Sequence, residues 1–132
     1  SRFATSGINV GLFCSTPSVP VSRNLGRKQA MELLLTGHFI DAHTALQWGL
    51  VNRVVPASRL DQEVADLAGS IMSKSWVAVA TGKRMFYKQL ELPLESAYDY
   101  ASGVMAGNMM ADDVEEGVDA FMQKRTPVWK HQ

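Results

Sequence analysis

The chain has 132 residues, 46% of them apolar, enough for one domain with a real core. Thirteen basic residues balance thirteen acidic ones, so the charge gives no support for nucleic acid or an anionic membrane as partner. A single cysteine excludes an internal disulfide and suits a reducing compartment. No apolar run approaches membrane-spanning length, no signal peptide opens the chain, and no internal repeat is visible. The chain begins at Ser1-Arg2-Phe3 without an initiator Met and reads as a fragment or a processed piece.

Arg2–Val10 mixes β-branched and small residues and predicts a strand with a turn at Ser6-Gly7. Leu12–Arg23 carries two prolines and several hydroxyls and predicts a loop. Cys14 falls in it, and with no His or acid close by it reads as a small buried apolar side chain rather than a nucleophile. Arg27–Leu35 predicts a helix with Ala30, Met31, Leu34 and Leu35 on one apolar face. Thr36-Gly37 stops it, because glycine accepts the left-handed conformation that closes helices. Asp41 is placed to cap a short helix, Ala42–Trp48, which Gly49 ends. His38 and His43 flank Asp41 and read as solvated turn residues rather than metal ligands, with Trp48 assigned to packing. Leu50–Val55 predicts a short strand stopped by Pro56. Four further helices follow: Ser58–Met72 with Ser58 and Asp61 as a capping box, Trp76–Leu90, Leu94–Met110, and a last one from Asp112 that carries Glu115 at a capping position and Lys124 and Arg125 in its final turn. Lys83, Arg84 and Lys88 form a basic run better read as a solvated face than as a phosphate site.

The stretch from Leu33 to Pro56 organises the rest. Its pattern L-T-G-x-x-I-x-A-x-x-A-x-x-x-G-L-V-x-x-V-V-P resembles a segment of the enoyl-CoA hydratase/isomerase family, the crotonase superfamily. It matches at twelve positions, from Leu35, Thr36 and Gly37 to Val54, Val55 and Pro56. A second match lies at the end of the chain, D-x-x-E-G-x-x-A-F-x-x-K-R-x-P-x-F/W, carried by Asp113, Glu116, Gly117, Ala120, Phe121, Lys124, Arg125, Pro127 and Trp129. The wording F-A-T-S-G-I-N-V-G-L-F-C-S-T-P from Phe3 is similar to the domain-containing protein 3 subgroup of that family.

The resemblance implies an α/β fold: the C-terminal part of a ββα spiral core over residues 1–57, then a mostly helical trimerisation region over 58–132. It implies acyl-CoA as ligand or substrate, an enolate stabilised by two backbone N–H groups, no further cofactor, no metal, and assembly as a homotrimer or hexamer. It implies a mitochondrial matrix protein if eukaryotic and a cytoplasmic one if bacterial. Hydratases of the family carry F-G-x-P-E-x-x-x-G near the start of this region, and counting from Phe3 places Gly7 at the glutamate. General acid–base work needs a titratable side chain within hydrogen-bond reach, and no Asp or Glu occurs in Ser1–Gln29. The glycine-rich P-G-x-G-G-T-Q-R loop that follows in hydratases is replaced here by a loop one residue shorter. The oxyanion donors and the second glutamate belong to the half of the family sequence upstream of Ser1. Phe121 and Lys124 correspond to a Phe and a Lys that reach a neighbouring subunit's CoA; the alternative is a core Phe and a capping Lys. The reading stays open between a working acyl-CoA enzyme and a non-catalytic acyl-CoA binder or assembly partner.

Overall fold

The computed structural model describes residues 1–130. They form two compact units, residues 1–60 and 61–130. Helices dominate both, with one small sheet in the first.

In the first unit β1 (Arg2–Phe3) pairs antiparallel with β2 (Ile40–Asp41), Arg2 opposite Asp41 and Phe3 opposite Ile40. The long strand expected over Arg2–Val10 is therefore two residues, followed by a 3₁₀ turn at Ser6–Val10. Between them Thr5 is buried, and its hydroxyl donates to the Leu33 carbonyl at 2.7 Å. That bond pulls the backbone out of extended geometry and onto the helix beside it.

The expected loop over Leu12–Arg23 is largely helix, α1 (Ser15–Asn24). Pro17 stands in its first turn, where no N–H is needed, and Pro20 removes one interior bond without stopping it. α2 (Arg27–Thr36) ends at Gly37, φ +62°, as expected. Its buried face is Ala30, Leu33 and Leu34, while Met31 and Leu35 are half exposed, so the apolar stripe lies one residue away from its predicted place. Leu25, Ala30 and Leu33 form the core cluster, with Val21, Ile40, Trp48 and Leu50 packed on it. α3 (Ala42–Trp48) starts where Asp41 accepts the Thr44 N–H at 2.8 Å and ends at Gly49, φ +83°. The same N–H bond holds the Asp41 carboxyl below its ordinary value. Leu50–Val55 is not a strand, since no described residue pairs with it.

The second unit is α4 (Leu60–Met72, beginning in the first unit), α5 (Trp76–Gln89), α6 (Leu94–Asn108) and α7 (Asp112–Met122). A 3₁₀ turn at Ala57–Arg59 precedes α4, so the Ser58–Asp61 capping box does not form. Ser75 caps α5 instead, accepting the Ala78 N–H at 3.2 Å. α5 packs on α6, with the Lys88 ammonium 4.6 Å from the Tyr100 ring centre. α7 begins after Ala111 with no side-chain cap, although three acids in its first turn suit the helix dipole. It stops at Met122, so Lys124 and Arg125 lie beyond it rather than in its last turn. No described helix is long and apolar enough to cross a membrane.

Candidate functional site

The sequence points to two places, one in each unit. In the first, Gly7 sits inside the 3₁₀ turn. Gly11, φ +79°, closes that turn: its N–H donates to the Ile8 carbonyl at 3.1 Å and the Leu12 N–H donates to the Gly7 carbonyl at 3.0 Å. Only glycine adopts this conformation without strain. Cys14 stands at the N-cap of α1, half-buried rather than buried, and makes no side-chain cap bond.

In the second unit Phe121 is 82% exposed, which removes the expectation of a core Phe within this unit. After Met122 the chain turns sharply. The Lys124 N–H donates to the Phe121 carbonyl at 3.2 Å and the Arg125 N–H to the Ala120 carbonyl at 3.0 Å. This pair of bonds is the Schellman closure, which requires one left-handed residue, and Lys124 supplies it with φ +54°. Among the described residues it is the one non-glycine with positive φ. A side chain there costs about 1–2 kcal/mol. Phe121 and Lys124 thus share one turn, but not consecutive turns of a continuing helix.

The tail then runs back along α7. Arg125 grips Glu116 with both ends of its guanidinium, at 2.6 and 2.8 Å, and Glu116 also accepts the Val128 N–H at 2.7 Å. These donors, Arg125 first, hold the Glu116 carboxyl down from 4.5 to about 2. The same pairing raises Arg125. One turn earlier on α7, the buried Asp113 accepts the Lys130 N–H at 2.7 Å and the Ser75 hydroxyl. Trp129 donates its indole N–H to the Ser73 carbonyl at 2.8 Å and lays its ring against Gly117. Asp113, Glu116 and Arg125 are legible in the sequence as motif matches, and Arg125 as a last-turn cation on the helix dipole, but not as a clasp for the tail. The signal was their spacing: Asp113 and Glu116 lie three apart, on one helix face.

A cavity of about 430 Å³ lies beside Ser75, Val77, Asn108, Asp113 and Trp129, with apolar walls. Among the described residues no group of three His, Cys, Asp or Glu side chains converges on a metal position. His38 and His43 lie in or beside the turn around β2 and α3.

Comparison with known proteins gives the family. The sequence model for enoyl-CoA hydratase/isomerase matches residues 1–132. Enoyl-CoA hydratase domain-containing protein 3, mitochondrial, of Rattus norvegicus is 50% identical over 131 residues, covering 99% of this chain and 44% of its own length. A crystal structure of enoyl-CoA hydratase from Mycobacterium smegmatis aligns with TM-score 0.94 at 55% identity, covering 97% of this chain and 50% of that one. The human domain-containing protein 3 structure aligns with TM-score 0.93 at 49% identity, covering 98% and 51%. The chain spans about half the length of the curated relatives it matches. Its fold is the C-terminal part of theirs, its likeness to the domain-containing protein 3 subgroup is at the level of half its residues, and the chain belongs to the enoyl-CoA hydratase/isomerase family.

Proposed function

We propose that the protein containing this chain binds acyl-CoA thioesters, stabilises an enolate in an oxyanion hole built by its other half, and hydrates enoyl-CoA inefficiently. The observation that carries this is Gly7, which has no side chain, has no acid nearby in sequence, and falls at the family glutamate when the resembling pattern is counted from Phe3. Loss of a positioned acid typically lowers the rate by roughly 10²–10⁴-fold. Preorganised backbone donors would still favour an enolate, so isomerisation or simple binding survives the loss better than hydration does. A non-catalytic acyl-CoA binder, or an assembly partner of other acyl-CoA enzymes, is the second reading, and the same glycine favours it.

The CoA contact in this reading belongs to Phe121 and Lys124. An exposed ring supplies a face for adenine, and the ammonium supplies a point charge for phosphate. Strain held at a turn outside any core is the kind of local cost that functional positions carry, and Lys124 carries it. The protein uses CoA thioester as ligand, needs no other cofactor or metal, and assembles as a homotrimer or hexamer through the helices from residue 58 onward. It works in the mitochondrial matrix in a eukaryote and in the cytoplasm in a bacterium; the rat and human relatives are named as mitochondrial. The test is crotonyl-CoA hydration by full-length protein, followed by loss of the conjugated thioester absorbance. The expected rate is at least a hundredfold below that of a hydratase carrying both glutamates. A rate within tenfold of such an enzyme overturns the proposal.

A further inference from the structure

We infer that position 7 is closed to any side chain by the stretch Leu12–Cys14, so that this loop, together with Gly7, fixes the absence of the acid. Gly7 does not lie in the left-handed region, unlike Gly11, Gly37 and Gly49. Its glycine is therefore required for space and not for torsion. An ideal Cβ at Gly7 would stand 2.8 Å from the Cys14 sulfur and 2.8 Å from the Leu12 carbonyl oxygen. A sulfur at the end of a side chain can rotate away, but a backbone oxygen moves only with its peptide. That peptide is tethered on both sides. The Leu12 N–H is held by the Gly7 carbonyl at 3.0 Å, while the Ser15 N–H donates to Phe13 at 2.8 Å and the Ser18 N–H to Cys14 at 2.9 Å, tying the loop into α1. A longer connection between Gly11 and α1 would supply the slack that lets Leu12 withdraw. Restoring a glutamate at position 7 consequently requires lengthening this loop as well. The catalytic half of that statement rests on reading Gly7 as the position of the family acid; the steric half does not.

Thermal unfolding of the full-length protein separates the two. In open space Gly7→Ala would raise Tm slightly by stiffening the unfolded chain. Against two atoms at this distance it lowers Tm by several degrees. In a Cys14→Ala background the loss is smaller but persists, since the Leu12 oxygen remains. With one glycine inserted between Leu12 and Phe13 the loss disappears. An unchanged or raised Tm for Gly7→Ala, in either cysteine background, overturns the closure; so does a Gly7→Glu protein that melts with wild type and gains crotonyl-CoA hydration. Gly7→Glu in the lengthened loop is expected to melt with its lengthened parent and to hydrate faster than Gly7→Glu alone. If it melts with its parent yet gains no hydration, the closure stands and the reading of position 7 as the acid position falls.

Discussion

Residues 1–60 and 61–130 treat their apolar side chains differently. The first unit gathers Leu25, Ala30 and Leu33 into one cluster, with Leu34 and Ala45 also buried. It still exposes Val10 and Leu12, but its helices meet a core of their own. In the second unit the buried apolar residues among those described are two alanines, Ala97 and Ala120. Val64, Leu67, Ile71, Tyr98, Met105 and Met109 are between 38% and 69% exposed. A unit that leaves its large side chains in water presents an apolar surface for another to cover. The lesson is that periodicity marks the side of a helix that seeks burial, and not whether the same unit provides it.

The sharpest way to break this contrast is a pair of matched truncations. Leu33→Ala, at a site 3% exposed, should cost about 2–5 kcal/mol in denaturant unfolding of the full-length protein. Leu67→Ala, at a site 38% exposed, should cost a similar amount where subunits are assembled and little where they are not. Its effect should therefore depend on protein concentration. Light scattering should show a trimer or hexamer for wild type at micromolar concentration. A stable monomer with Leu67 still exposed would end the contrast.

Next in size is Lys124→Ala, expected to weaken acetyl-CoA binding by roughly ten- to a hundredfold, since charge-assisted contacts are worth about 1.5–3 kcal/mol. Calorimetric titration measures it, and the effect should shrink at high salt. Lys124→Gly sharpens the point because its two effects have opposite signs. It removes the left-handed strain, raising stability by about 1 kcal/mol, and lowers CoA affinity as the alanine does. If stability rises and CoA affinity is unchanged, the turn is structural and the lysine has no ligand.

The smallest effect is titration of the tail. Glu116 is held down to about 2 from an ordinary value of 4.5. A depressed carboxyl stabilises the fold above its unfolded pKa, and that contribution is lost as pH falls from about 4.5 toward 2. Arg125→Ala should flatten this part of the stability–pH curve. Pairs this exposed are worth little at neutral pH, so the difference should be largest in the shape of the curve.

Short-range chemistry was the legible part of the fold. Gly37, Gly49 and the Asp41 cap behave as their sequence predicts, because each bond spans a few residues. The failures came where a distant partner decides. Leu50–Val55 has strand composition, but a strand exists through its neighbour, and no described residue supplies one. Arg2–Val10 was diverted by Thr5 bonding to Leu33, twenty-eight residues away. The turn at Lys124 was missed because the Schellman signal is glycine, and here a lysine takes its place. At the candidate site Gly7 was visible as a letter, but the Leu12 oxygen 2.8 Å from where its Cβ would stand could not be read from the letters.

The Trp129 indole bond to the Ser73 carbonyl joins residues fifty-six apart. It closes a loop around α5, α6 and α7 using the last few residues of the described chain. Loop-closure entropy grows slowly with length, so one bond reinforced by Lys130 on Asp113 and Val128 on Glu116 is a workable clasp for three helices. Clipping behind Pro127 would strip Asp113 and Glu116 of backbone donors, uncover the face of Gly117, and free the end of α4 at once. A protease cut behind Pro127 should then expose the helical unit to further proteolysis as a whole, in one step, rather than residue by residue.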